Sequence, residues 1–173
     1  MDGRRFLEVL SADGPAADRK EKMMLYGQFI GDWLGNMVFH DDKGTRREIP
    51  TEVHFAWALE GRAIQDVWIT PALKDRKKPE HTFMYGSTFR VYDPRKDNWH
   101  IIWIDPVQQS FLNMTGQKIG DDIVQEYRRE DGTVCQWMFT EITADYFHWI
   151  NRESKDSGAS WKIIGEFYLS RSD

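Results

Sequence analysis

Three charged side chains, Arg62, Asp66 and Arg90, lie in stretches whose other residues read as buried β-strand. A charge persists in a protein interior only when it is paired and hydrogen-bonded. Asp66 and Arg90 fall on successive predicted strands, so they can form an ion pair, either inside the molecule or on its surface. The chemical alternative is that Arg90 anchors a carboxylate, enolate or phenolate of a ligand while Asp66 fixes its guanidinium. Tyr92 shares the Arg90 face, because Thr88, Arg90 and Tyr92 alternate with Phe89 and Val91. His54 and His148 are the histidines set within strong strands. An imidazole there, or Asp66, could move a proton while Arg90 or Tyr92 holds developing negative charge. Each of these groups reads equally well as a hydrogen-bonded strand residue. There is no His-x-His, His-Glu-x-x-His or Cys/His cluster, so no metal site is predicted. Serine and cysteine nucleophile contexts are missing too, and the 116–120 run is too short for a phosphate loop. Of the tryptophans, Trp57, Trp68, Trp103, Trp137 and Trp149 are core by default. Any that point inward beside Arg90 or Tyr92 would wall a flat-sided slot for a ring or polyene.

The elements that must hold these groups are mainly β. A chain of 173 residues suffices for one domain with a real core, and eight Trp, six Tyr and ten Phe can fill that core or line a pocket. Residues 1–30 read as a helical segment. Phe6, Leu7 and Leu10 make one apolar face, Gly14-Pro15 breaks it, and Met23 and Met24 belong to a second helix that packs on a barrel end or moves as a lid. From 31 to 173 the pattern is strands at 33–40, 51–59, 63–70, 87–93, 99–105, 110–119, 123–130, 133–142, 146–153 and 161–170. Short turns separate them, Asp131-Gly132 being the strongest hairpin signal. About ten closely linked strands imply an antiparallel meander, and closure into a barrel removes its edges. The basic, proline-containing stretch 72–80 is the longest irregular loop and is placed at the barrel mouth. Phe55, Trp57 and Leu59 are expected on one face, as are Trp99, Ile101, Trp103 and Asp105. Bulky groups on both faces of several strands predict that a second copy covers part of the outside, giving a homodimer.

The net charge of −5, with no basic stripe, makes nucleic acid and anionic membrane surfaces poor partners. The single cysteine, Cys135, forms no internal disulfide. The N-terminus is too short in apolar residues and too charged for a signal peptide, and no run is long enough for a membrane helix. The expectation is a soluble, cytoplasmic chain.

Gly31-Asp32-Trp33-Leu34-Gly35, placed after a helical lead and before ten strands, resembles the opening of a lipocalin-type (calycin) barrel. The resemblance implies that Trp33 closes the barrel base and that Arg171, after the last strand, packs on it. Further stretches resemble an uncharacterised bacterial lipocalin-like family: Leu59 through Trp68, Arg90-Val91-Tyr92-Asp93-Pro94, Trp99 to Pro106, 137–143, Phe147-His148-Trp149 and 157–161. That family brings no catalytic assignment. The Gly-x-Trp-x-Gly opening is also similar to that of haem-binding nitrobindin-type barrels, which take an axial histidine from a strand near the C-terminus. Here residues 161–170 contain no histidine and position 37 is Met37, so no cofactor is predicted. The functional expectation is a barrel that binds a small, largely apolar molecule, anionic or aromatic, through Arg90, Tyr92, Asp66, Trp68, Trp103, Trp137 and Trp149. The alternative is a cofactor-independent isomerase, cyclase or lyase working on a hydrophobic substrate in the same cavity.

Overall fold

The computed structural model describes residues 3–172. Two short helices, α1 (Arg4–Leu10) and α2 (Lys20–Gly27), flank a two-residue strand β1 (Ser11–Ala12). Ten longer strands follow: β2 (Gly31–His40), β3 (Arg46–Ala58), β4 (Ala63–Thr70), β5 (Met84–Asp93), β6 (Asn98–Asp105), β7 (Ser110–Ile119), β8 (Asp122–Arg128), β9 (Val134–Thr140), β10 (Tyr146–Ser154) and β11 (Lys162–Arg171). Each is antiparallel to the next, and β11 returns to pair with β2. The meander is therefore a closed ten-strand barrel, with β1 added to the free end of β3 through Ser11 opposite Ala58. No described helix is long and apolar enough to cross a membrane.

The turns are built as their residues require. In the β8–β9 turn Gly132 has φ +85°, and the Asp131 carboxylate accepts the Thr133 backbone N–H at 2.9 Å. The β3–β4 turn runs through Leu59, Glu60 and Gly61, all left-handed; a Cβ on Gly61 would lie 2.0 Å from the Gly14 carbonyl. This corrects the face expected for Leu59. It leaves the strand at the turn and is exposed, while Val53, Phe55 and Trp57 point inward. β3 also starts five residues before the predicted 51, because the polar 46–50 stretch pairs with β2 as far as His40, opposite Arg46.

One end of the barrel is plugged from inside. α2 sends Met23 and Tyr26 into the core, and Phe29 follows just after it; all three are fully buried. Tyr26 meets Trp99 edge-on at 4.8 Å and Phe29 stacks on Phe139 at 4.7 Å. Trp33 donates its indole N–H to the Phe29 carbonyl at 2.7 Å. The Arg171 guanidinium lies 4.3 Å from the Trp33 ring and donates to the carbonyls of Gln28, Ile30 and Ala144. It thus satisfies carbonyls that the end of α2 leaves without helical partners. α1 carries the apolar residues Phe6, Leu7 and Leu10 but, unlike α2, buries none of its residues, and Phe6 and Leu7 are exposed.

The outer wall is unevenly charged. Two adjacent rows run across β4–β7: Gln65, Phe89, Ile102 and Asn113, then Val67, Ser87, Ile104 and Phe111. None of them is charged, and Ile102, Ile104 and Phe111 are 49%, 44% and 64% exposed. The opposite wall instead carries a Glu126–Gln136–Arg152 chain and the His148–Glu166 pair.

Candidate functional site

Strand alternation sends Thr88, Arg90 and Tyr92 of β5 inward, and Trp99, Ile101, Trp103 and Asp105 of β6 with them. Midway along the barrel these inward groups form a polar layer. Arg90, 1% exposed, forms an ion pair with Asp66 and donates its Nε–H to Gln125 Oε1 at 2.9 Å. The other Asp66 oxygen accepts the Thr88 backbone N–H at 2.9 Å. The guanidinium also sits 4.9 Å from the Tyr26 ring, 5.7 Å from Phe55 and 5.6 Å from Phe139. Aromatic faces and a carboxylate together compensate the buried charge. Burial pushes the Tyr26 phenol well above its ordinary range.

On the far side of this layer from α2 the barrel is hollow. The cavity has a volume of about 490 Å³. Four indoles form a continuous arc in its wall: Trp68 to Trp149 at 5.5 Å, Trp149 to Trp137 at 5.3 Å, and Trp137 to Trp103 at 5.6 Å between ring centroids. Trp68 lies opposite Gly86, and a Cβ on Gly86 would fall 2.2 Å from Cη2 of Trp103, so that glycine makes room for the indole. Met37, Met84, Leu112 and Phe167 complete the apolar lining, and Arg90 with Thr88 forms its floor. Near the mouth, Phe83 stacks on Phe39 at 6.1 Å, and Gln108 donates to the Phe83 carbonyl. Arg129 is bonded to Glu153 there, and the pairing raises its pKa. Tyr127, half-buried in the wall, has its phenol pushed up to about 12, chiefly by burial and then by the Cys135 thiol.

Two polar atoms of the lining residues are buried with no hydrogen-bond partner: Nε1 of Trp137, a donor, and Oδ1 of Asn151, an acceptor. The two residues are directly opposite each other on β9 and β10.

Trp68, Trp103, Trp137 and Trp149 are therefore gathered in one wall, with Arg90 beneath them and Asp66 behind Arg90. The other candidates lie elsewhere. Tyr92 shares the inward face but sits toward the plugged end, donating its hydroxyl to Asp97 at 2.6 Å, and does not line the cavity. His54 faces outward and bonds Asp32 at 2.6 Å. His148 is on the outer side of β10, bonded to Glu166 at 2.8 Å and stacked on Tyr168. Alternation decides this: Phe147, Trp149 and Asn151 take the inward positions. Neither histidine touches the cavity or the other. Trp57 packs under α2 beside Gly27. Among the described residues no group of three or more His, Cys, Asp or Glu could hold a metal ion.

Sequence reasoning missed Asn151, Tyr127 and Arg129 as well as the apolar Met37, Phe83, Met84, Leu112 and Phe167. Asn151 was detectable, because it continues the 147–149 inward alternation in a strand whose apolar run makes a polar residue conspicuous. Phe83 lies in irregular chain, where no periodicity points to it.

No family model and no curated protein matches the chain. Solved structures do. Rv2717c from M. tuberculosis superposes with a TM-score of 0.59 at 14% identity, over 88% of this chain and 98% of that one. The S-type phycobiliprotein lyase CpeS from Guillardia theta superposes with a TM-score of 0.56 at 12% identity, over 92% of this chain and 99% of the lyase. The fold is a calycin-like barrel. At these identities the likeness concerns the backbone alone, and the calycin architecture is reached here with an internal helical plug at one end and a hollow at the other.

Proposed function

We propose that this calycin-like barrel binds a small, largely apolar, planar molecule in its hollow half. The observation that carries the reading is the arc of four indoles lining a cavity of about 490 Å³. That volume and lining are typical of sites for drug-sized ligands. Flat indole faces favour a flat partner, because stacked and edge-on contacts add to the area buried. The catalytic alternative finds no support in the lining, which among the described residues supplies no imidazole, carboxylate or thiol. Arg90 and Asp66 are committed to each other, so neither is free to move a proton. A lyase among the structural neighbours is compatible with either reading at 12% identity. The test is titration with N-phenyl-1-naphthylamine, a neutral dye that fluoresces in apolar surroundings. It should bind at one site per chain and quench tryptophan emission. Leu112→Trp, which fills the cavity without touching a charge, should abolish the signal while leaving the unfolding midpoint near that of the parent protein. Unchanged dye binding in that variant would overturn the reading. Native mass spectrometry of protein from its own host would then name the ligand.

We also infer a homodimer formed through the outer face of β4–β7. The ten barrel strands pair with one another all round and leave only the two-residue β1 as an edge, so the contact between copies is made by faces. A two-fold axis brings each patch against itself, and a patch without charges meets no like charge on its partner. Ile102→Lys at its centre should convert a dimer to a monomer in sedimentation velocity. A parent protein that is monomeric at 100 μM, or a variant that sediments like the parent, would refute this.

A further inference from the structure

The net charge of −5, which for the chain as a whole argues against anionic membranes, conceals a division along the barrel axis. The segments around the cavity mouth (39–48, 70–85, 105–110, 128–134 and 152–164) carry twelve Lys and Arg against ten Asp and Glu, a net of +2. The rest of the chain, which includes the plugged end, carries eleven against eighteen, a net of −7. Most of the basic excess at the mouth sits between β4 and β5, where Lys74, Arg76, Lys77 and Lys78 outnumber Asp75 and Glu80. Arg76 donates to Thr82 and lies over the Tyr85 ring at 5.9 Å. Lys74, Lys77 and Lys78 are exposed, and none of them pairs with another described residue.

Apolar side chains share this end of the barrel. Leu73, Phe83, Val107, Ile163 and Ile164 are each more than a third exposed, and they come from three segments around one opening. Gln108 bonds the Phe83 carbonyl, which ties the 106–109 turn to Phe83. Phe83 and Ile164 also line the cavity, so apolar surface continues from the cavity to the outside. Clustered exposed apolar groups of this kind mark surfaces of interaction.

We propose that the mouth end docks on an anionic lipid surface. Lys74, Lys77 and Lys78 attract the headgroups, and Leu73, Phe83, Val107, Ile163 and Ile164 enter the boundary of the acyl chains. Each contribution is weak alone, and peripheral binding takes two such signals together. An acidic protein could also satisfy the lysines. The apolar groups, however, stand on separate segments around a hole, and a fluid lipid surface reaches all of them by yielding to their shape. The negative excess on the rest of the chain turns the plugged end away from the same surface. A molecule poorly soluble in water then passes between bilayer and cavity without crossing the solvent. The docking goes beyond the cavity-binding reading, and this loading step alone rests on it.

Co-sedimentation of the full chain with vesicles tests the proposal. The vesicles are phosphatidylcholine alone, or phosphatidylcholine with about a third phosphatidylglycerol, at about 100 mM salt, where only charges near the surface act. The chain should bind the anionic vesicles about tenfold or more tighter than the neutral ones. The triple variant Lys74→Glu, Lys77→Glu, Lys78→Glu should lose at least about tenfold. Its three side chains are exposed and unpaired, so its urea midpoint should stay at the parental value. The triple variant Lys20→Glu, Lys96→Glu, Lys118→Glu makes the same change of net charge away from the mouth and should bind within about twofold of the parent. Leu73→Ser with Val107→Ser, which touches no charge and no cavity-lining residue, should weaken binding about threefold or more. Equal binding to both vesicle types, parental binding by either mouth variant, or equal losses in the two lysine variants would overturn the proposal. Absence of vesicle binding would overturn it too and leave an acidic protein as the partner of the mouth. The dye titration above is run without vesicles, so docking and cavity binding fail on separate readouts.

Discussion

Replacing Arg90 by methionine separates a structural ion pair from a ligand anchor. The guanidinium is 1% exposed, bonds Asp66 and Gln125, and lies against the rings of Tyr26, Phe55 and Phe139. Methionine can occupy much of its volume, so the chief loss is charge compensation. Asp66 is fully buried and keeps only the Thr88 N–H. Removing one member of a buried pair costs about 3–5 kcal/mol, a large share of the roughly 5–15 kcal/mol that holds a domain folded. Urea unfolding followed by tryptophan fluorescence reads this directly, as a lower midpoint at unchanged slope. Adding Asp66→Asn removes the orphaned charge and keeps an oxygen for the Thr88 N–H. The double variant should therefore recover at least about 1 kcal/mol relative to Arg90→Met alone. Naphthylamine affinity, measured where the variant is fully folded, should change less than threefold. A ligand held directly by Arg90 would instead lose about tenfold or more, the worth of a charge-assisted bond. A stability loss below about 1 kcal/mol, or a tenfold loss of binding in the folded variant, would refute the assignment of Arg90 to the floor layer.

Three further outcomes follow from the same contacts. Arg171→Ala should lower stability by about 1–3 kcal/mol, through the lost Trp33 stacking and the carbonyls of Gln28 and Ile30, and Arg171→Lys should rescue it only in part because an ammonium lacks the planar fork; equal stability of Ala variant and parent in urea would count against the capping role. Gly86→Ala should cost about 1–3 kcal/mol by overpacking and weaken dye binding, since the Trp103 ring must swing away from the new methyl; a variant with parental binding and stability would show that the ring has room elsewhere. Tyr127 keeps its proton in the folded state up to about pH 12, whereas an unfolded tyrosine loses it near pH 10. The folded protein thus binds more protons between those values, so stability falls as pH rises through that window. In Tyr127→Phe this part of the alkaline slope should vanish, and the 295 nm difference titration against the parent should show a step near pH 12; a step near pH 10 would contradict it.

Strand pattern carried most of the fold because its period is fixed by the backbone. Ala63–Thr70 and Ser110–Ile119 have the predicted ends, and the remaining barrel strands differ from prediction by up to five residues at their ends. At 46–50 (Arg-Arg-Glu-Ile-Pro) the sequence has no apolar–polar alternation to read, and this start of the strand goes unseen although it pairs with 36–40. The two-residue β1 is too short to leave any pattern at all.

The site was legible in its walls and not in its depth. Period-two alternation says that 88, 90 and 92 share a face, but it cannot say whether that face is inside. Two later facts decide it. Asp66 opposes Thr88 across β4 and β5, so the charges of Asp66 and Arg90 fall on the same side. The other side carries Gln65, Phe89 and Ile102, apolar enough to pass for a core. The sequence was ambiguous because this barrel inverts the usual contrast, burying an ion pair and exposing isoleucines. Position along the barrel axis is the second illegible coordinate. Tyr92 is two residues from Arg90, about 7 Å along an extended strand, and that step carries it from the cavity floor to the plug. Only the placement of α2 inside one end divides the barrel into a packed half and a hollow half. That placement depends on Tyr26 and Phe29 reaching residues more than seventy positions away, a separation at which local periodicity has nothing to say.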